Sequence, residues 1–266
     1  MDTQTFDALR AIVYNKSGIA INDNKGALVA ARIGKRIREL SLSNANSYLN
    51  FLLADGNEGE IVNLLDVIST NVTSFFREES HFDFLAAEMG SWLAHGQRRF
   101  RFWSAACSSG EEPYTLAMVA LDVIQGISVD IKILATDIST RILEKSSAGV
   151  YSEEKVAAIP PKYRSRFFKK TMDSGAPAYE VAGELKNIIV FQSINLSKPP
   201  FPMRGPMDAI FCRNVMIYFD NTVRKNLLQD LYRLLKPGGY LFVGHAESLT
   251  GLISGFKAVK PSVYIK

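Results

Sequence analysis

Phe102-Trp103-Ser104-Ala105-Ala106-Cys107-Ser108-Ser109-Gly110-Glu111-Glu112-Pro113 decides how the rest of the chain is read. An apolar run gives way to small residues, and two acids and a proline then mark the first turn of a helix. Such a strand–loop–helix junction opens a doubly wound α/β sheet, where small residues let a nucleotide-like ligand approach the backbone. The full Gly-x-Gly-x-x-Gly is missing, and Glu111 and Glu112 would repel a diphosphate, which disfavours a dinucleotide and a nicotinamide dehydrogenase. A ligand carrying a sulfonium and an ammonium would be attracted instead. The same acids complement a helix dipole, and this segment alone leaves both readings open.

Downstream, the alternation continues. Strands are expected at 100–106, 131–136, 188–192, 209–212, 240–244 and 262–265, and helices at 113–124, 140–147 and 221–235. Strands alternating with helices predict an α/β domain with a mainly parallel sheet. A stretch at about 160–186 breaks the rhythm: it is basic at Lys162, Arg164, Arg166, Lys169 and Lys170, then carries a turn-like Asp173-Ser174-Gly175, and reads as an inserted antiparallel β subdomain. Upstream, apolar residues recur at helical spacing in Phe6, Leu9, Ile12 and Val13, in Val29, Ile33, Ile37 and Leu40, and in Ile61, Leu64, Leu65 and Ile68. Polar breaks at Asn22-Asp23-Asn24, at 41–46 and at Asp55-Gly56-Asn57 separate them, so residues 1–80 are expected to form a helical domain ahead of the α/β domain at 81–266.

Four further segments draw attention. Asp137 ends the second expected strand, where an acid suits a ribose diol and equally suits a helix N-cap. Leu234-Leu235-Lys236-Pro237-Gly238-Gly239 reads as a helix stop and a turn into a strand. Thr70-Asn71-Val72-Thr73-Ser74-Phe75-Phe76-Arg77-Glu78 lies where the helical region meets the α/β domain, a usual place for a ligand cleft and also a plausible linker packed by its aromatics. Cys212-Arg213-Asn214-Val215-Met216-Ile217-Tyr218-Phe219 leaves a buried strand; strand tips in open α/β sheets supply active sites, whereas Val215, Met216 and Ile217 read as packing.

Composition narrows the classes. Hydrophobic residues at 47% supply a core, and no apolar run reaches the length of a membrane span. Met1-Asp2-Thr3-Gln4-Thr5 lacks the features of a secretion signal. Two scattered cysteines and three scattered histidines make a zinc site or a disulfide framework an unlikely reading, so no metal is expected and a reducing cytoplasm is the expected location. The net charge of +4 permits an acidic partner without demanding one.

Taken together, segments 70–78, 103–114, 135–137, 211–219 and 235–239 resemble the chemotaxis receptor methyltransferases of the CheR type. The resemblance spans nearly the whole chain. It implies a Rossmann-like class I methyltransferase domain, a helical N-terminal domain that reads the receptor, and the small inserted β subdomain. It also implies transfer of a methyl group from S-adenosylmethionine to glutamate carboxylates of chemoreceptors, with S-adenosylhomocysteine as product. On this resemblance Asn71, Thr73, Arg77, Ala106, Glu112, Asp137, Asn195, Leu196, Cys212 and Arg213 hold the cofactor, and Arg77 and Tyr218 orient the reactants. The basic face of Arg32, Lys35, Arg36 and Arg38, opposite Val29, Ile33, Ile37 and Leu40 on a helical wheel, would meet the acidic methylation helices.

Some relatives add a receptor C-terminal peptide to the β subdomain as a strand and others work without it; a regulatory adaptor is a further candidate partner, and this chain is expected to act as a monomer. A nucleic-acid methyltransferase would carry a stronger basic surface and, for exocyclic amines, an Asn-Pro-Pro-aromatic motif that is absent here, so no nucleic acid partner is expected. A catalytically silent receptor adaptor would be expected to lack Arg77, Asp137 or Tyr218, all of which are present.

Overall fold

Asp2 starts the first helix by accepting the Thr5 N–H at 2.8 Å. In the computed structural model, which describes residues 1–21, 26–68, 72–252 and 255–266, this helix is α1 (Thr3–Ser17). It ends at Gly18 in the left-handed region, φ 73°. A Cβ there would stand 2.4 Å from the Ser197 Cβ, so only glycine allows both the turn and the close approach. The helices α2 (Gly26–Glu39), α3 (Ala45–Leu53) and α4 (Glu58–Ile68) complete the front bundle. Leu9, Val13, Val29, Ile33, Leu64, Leu65 and Ile68 form its core, with Tyr48 and Leu52 from α3.

Apolar spacing in the sequence anticipates α1, α2 and α4 but not α3, whose signal is short: Asn44 accepts the Ser47 N–H at 2.9 Å, and one i, i+4 apolar pair follows. The expected break at Asn22-Asp23-Asn24 lies outside the described residues.

One expectation for α2 needs correction. Arg36 does not share the open basic face. Its side chain is 14% exposed and makes a two-pronged bond to Glu60, at 2.9 and 2.6 Å, with Glu39 as a further partner. Tyr48 and Asn63 also donate to Glu60. Lys35 and Arg38 remain exposed, and Arg32 is half-buried, donating to the Ile68 carbonyl. A helical wheel cannot tell an outward arginine from one drawn sideways onto a buried carboxylate of a neighbouring helix.

Behind the bundle, α5 (Ser80–Ala94) packs on α6 (Glu111–Ile124), which follows β1 (Arg99–Ala105). Then come β2 (Asp130–Asp137), α7 (Thr140–Ala148), β3 (Val150–Ser152), α8 (Glu153–Ala157), α9 (Pro161–Phe167), β4 (Phe168–Asp173), β5 (Ala176–Val181), α10 (Gly183–Lys186) and β6 (Ile189–Ser193). The chain closes with β7 (Met207–Cys212), α11 (Asn221–Leu234), β8 (Leu235–Phe242), β9 (Lys257–Lys260) and β10 (Val263–Ile265).

Seven strands form one sheet in the order β6-β2-β1-β7-β8-β10-β9. It is parallel through β8, and β10 runs antiparallel to both of its neighbours. Side chains alternate between two cores: Phe100, Phe102, Ala209, Phe211, Tyr240 and Phe242 face one, while Trp103, Ala105, Ile210, Cys212, Leu241 and Val243 face the other. Burial on both faces is why these strands read as continuous apolar runs. The strand β9, all exposed with lysines at both ends, carries no such run and was not anticipated.

β3, β5 and β4 make a separate antiparallel sheet. It begins at Val150, ahead of the insert expected at about 160–186, because β3 is too short to register in sequence.

The Arg36–Glu60 pair yields a stability prediction. Burial pushes the Glu60 carboxyl up, and hydrogen bonds from Arg36, Asn63 and Tyr48 outweigh it, so the group titrates below its ordinary 4.5. Its stabilising contribution is therefore complete above about pH 4.5 and fades as pH falls through the lowered native value. Glu60→Ala is expected to cost on the order of 3 kcal/mol in urea unfolding at neutral pH. It should also flatten the acid limb of the stability profile.

Candidate active site

The sheet order reverses between β2 and β7 across β1, and ligands in open α/β folds bind outside the strand ends at such a point. Here the tips of β1, β2 and β7 and the front bundle surround a cleft enclosing about 1180 Å³ of empty space, part of it open solvent. That is ample for a nucleoside-sized ligand. The helical front forms a wall because it is tied to the α/β domain. The Asn195 amide donates to the Lys16 carbonyl at 2.6 Å, the Tyr14 hydroxyl to Asp220 at 2.6 Å, and the Ala20 N–H to the Tyr218 carbonyl at 2.8 Å.

The two acids of the first loop part ways. Glu111 is fully buried and ion-paired with Lys155 of α8, whereas Glu112 lines the cleft. Gly110 sets this up at φ 94°, where a Cβ would stand 2.8 Å from the Tyr151 hydroxyl. Glu112 accepts from the Ser104 hydroxyl at 2.6 Å and from the Arg213 guanidinium at 3.1 Å. Burial pushes its carboxyl up, with Arg213 and Ser104 opposing.

Arg213, 2% exposed in its side chain, also bonds Glu78 at 2.9 Å and the Arg77 carbonyl. Burial raises the Glu78 carboxyl, but the Arg213 charge and its hydrogen bonds bring it below its ordinary value.

Asp137 accepts the Ser108 N–H at 3.0 Å and the Ser139 N–H at 3.1 Å, fastening the first loop to the second, and burial pushes its carboxyl up. It is not the cap of α7; Ser139 is, accepting the Ile142 N–H at 3.2 Å.

Phe76, Glu78, Ala106, Ser108 and Asn214 all carry positive φ, between 49° and 63°. Left-handed non-glycine backbone is costly and concentrates where geometry serves a site.

The structure thus brings Thr73, Arg77, Ala106, Glu112, Asp137, Asn195, Leu196, Arg213 and Tyr218 onto one cleft. Asn71 lies outside the described residues. Cys212 is not among the cleft-lining residues: its side chain is wholly buried in the core with Trp103, Ala105 and Leu241, which pushes its thiol well above the ordinary range. Strand alternation decides this, since Phe211 and Arg213 flank it on the opposite side. Both cysteines are free and buried. Sequence reading missed Ser17, Ile19, Phe82, Ile138 and Ile194 in the lining. Phe219 in the lining and Glu78 behind it stood in segments the sequence singled out but were given no role.

Glu78, His81 and His245 place ligand-type atoms within 4.8 Å of one another. Arg213 already occupies the Glu78 carboxylate, so a fixed cation stands where a metal ion would compete.

Residues 71–265 match the family described as CheR methyltransferase, SAM binding domain, and residues 4–69 match its all-alpha domain. The chain belongs to the CheR methyltransferase family. The chemotaxis protein methyltransferase of Salmonella typhimurium is 37% identical over 97% of this chain and 88% of its own length. That of Escherichia coli is 37% identical over 97% and 89%, and that of Borreliella burgdorferi 36% over 96% and 91%. A solved putative S-adenosylmethionine-dependent methyltransferase from Methanococcus maripaludis is more distant, at TM-score 0.34 and 14% identity over 61% of this chain and 55% of that one.

S-adenosylmethionine is the cofactor of this methyltransferase, and the cleft fits it chemically. The carboxylates of Glu112 and Asp137 suit an ammonium and a ribose diol, and the apolar Ile138 and Ile194 suit a purine. No helix among the described residues is long and apolar enough to cross a membrane.

Arg213→Gln is expected to destabilise the CheR fold by about 3–5 kcal/mol, because Glu78 and Glu112 would then face each other without their shared cation. Chemical denaturation measures the loss. Titration with S-adenosylhomocysteine should show weakened binding in the same variant.

Proposed function

We propose that this methyltransferase esterifies glutamate side chains in the methylation helices of chemoreceptors, within the cytoplasm. One observation carries the reading: Arg77 lies on the wall of the same cleft as Glu112 and Asp137, so a site for an anionic acceptor adjoins a site for a cationic donor. The names of the relatives agree with a receptor substrate.

The chemistry asks little of the protein. A glutamate carboxylate has an ordinary pKa near 4.3, so at neutral pH it is already the nucleophile and requires no general base. When bound, the sulfonium cofactor supplies an activated methyl group with a neutral thioether as leaving group. What this chain must add is alignment and partial removal of water from the carboxylate. Arg77 serves the first: its guanidinium is steadied by the Val72 carbonyl at 2.8 Å, and guanidinium can hold both oxygens of a carboxylate in one plane. Tyr218 lines the same cleft and orients the reactants beside it. Thr73, Ala106, Glu112, Asp137, Asn195, Leu196 and Arg213 hold the cofactor.

In this reading residues 1–80 recognise the receptor and 81–266 carry out transfer. Arg32, Lys35 and Arg38 supply the basic face towards acidic methylation helices, with Arg36 serving the bundle instead. The free edge at β4, outermost in the order β3-β5-β4, supports capture of a receptor C-terminal peptide by strand addition.

The test is methyl transfer from labelled S-adenosylmethionine to receptor cytoplasmic fragments, scored as methanol released by mild base. Label is expected on glutamates and is lost when these become glutamines; base-stable label would overturn the ester assignment. Arg77→Ala should lower turnover about a hundredfold even at saturating S-adenosylmethionine, a typical loss for a misplaced reactant. Transfer should also weaken as salt rises, because exposed charges steer docking.

A further inference from the structure

Among the described residues, large hydrophobic side chains stand exposed at Met1, Tyr14, Leu53, Val72, Ile127, Met172, Val190, Ile217 and Val259. Single exposed aliphatics are ordinary on a protein surface. Two of these are not scattered: Val72, 72% exposed, and Ile217, 52% exposed, both line the cleft, and the other seven do not. They come from segments far apart in the chain, Val72 from the stretch joining the helical front to the α/β domain and Ile217 from the turn after β7. Each is joined to a residue that orients the reactants. The Val72 carbonyl holds the Arg77 guanidinium at 2.8 Å, and Ile217 directly precedes Tyr218. The Ile217 backbone is itself anchored, its N–H donating to the buried Glu247 at 3.2 Å.

We propose that Val72 and Ile217 form an apolar clamp that grips the acceptor helix on either side of the target glutamate and so determines acceptor specificity. This rests on the carboxyl-methylation reading above. The occupant follows from position. An acceptor carboxylate must reach Arg77 from solvent, and the chain that carries it then lies against whatever surrounds the mouth. Aliphatic side chains there have no role in the fold, yet they are covered once a helix docks.

Covering them does two things. It adds salt-insensitive affinity beside the salt-sensitive contact of the basic face. It also displaces water around a carboxylate whose hydration opposes attack. Free glutamate, with no flanking chain to cover either side chain, would be a poor acceptor.

The experiment uses the full chain and a purified receptor cytoplasmic fragment that the unmutated enzyme methylates. Val72→Ser and Ile217→Ser should keep the unmutated melting temperature, since both side chains are exposed. Each is expected to raise KM for the fragment about tenfold, as loss of one partly buried aliphatic contact implies. The dissociation constant for S-adenosylhomocysteine should stay within about twofold, and the KM ratio of variant to unmutated enzyme should persist at high salt. Val72→Ile should retain the unmutated KM.

An unchanged fragment KM in both serine variants overturns the clamp. So does a weakening of S-adenosylhomocysteine binding that matches the KM change, which would give these residues to the cofactor. If the unmutated enzyme methylates no receptor fragment, the underlying reading falls and the clamp with it; if it methylates normally and only the KM prediction fails, the clamp alone falls.

Discussion

The buried guanidinium of Arg213 is the constraint around which the active site is arranged. It meets Glu78 from the segment between the bundle and α5, Glu112 from the first helix of the α/β domain, and the backbone carbonyl of Arg77. A charge removed from water is tolerated only when its donors are satisfied by well-placed acceptors. Three pieces of chain distant in sequence are therefore held within a few ångströms of one another. Because one of them carries Arg77, the cation that pairs with Glu112 of the first loop also fixes the backbone from which the Arg77 side chain enters the cleft wall. Left-handed backbone at Glu78 and Asn214 is maintained by the same contacts, with Asn214 and the His245 N–H completing the shell around Glu78.

The second constraint is the seam between the bundle and the sheet. Gly18 permits contact with Ser197, Asn195 reaches back to the end of α1, and Ile19 forms an isolated bridge with Phe219. The seam brings Ser17 and Ile19 into the cleft wall. The helical bundle and the α/β domain thus share one cavity, lined by Ser17 and Ile19 from the front and by Glu112 and Asp137 from the sheet. The small sheet is tied in by a different route, through Lys155 on Glu111 and the Tyr151 hydroxyl on the Ser109 carbonyl. That leaves Glu112 as the acid facing the cleft.

Much of this architecture was legible in sequence because its strands are buried on both faces and its helices are amphipathic. The strands at β1, β2, β6, β7, β8 and β10, the helices α6, α7 and α11 of the α/β domain and three of the four bundle helices each leave a periodic trace, whereas α5 was not anticipated. Elements without a long apolar run left none: α3 is stabilised mainly by its cap and two buried side chains, β3 spans three residues, and β9 is an exposed edge. Motif resemblance brought the cleft residues into view, and it also extended to Cys212. That side chain is buried in the core beneath the cleft, since one step along a strand turns a residue through the sheet, away from the face that Phe211 joins.

By itself the sequence determined the α/β class, the helical front, the position of the loops that carry Glu111-Glu112 and Asp137, and the family. Periodicity and local residue type are properties of neighbours in the chain, so they survive without coordinates. Tertiary structure alone decided that Glu111 is drawn away onto Lys155, which arginine of α2 is withdrawn onto Glu60, and that Glu78 and Arg213 form one buried ion cluster. Each of these outcomes depends on a partner contributed by a distant segment. Pairing of a buried charge is a property of the folded interior, where the cost of leaving it alone selects the contact.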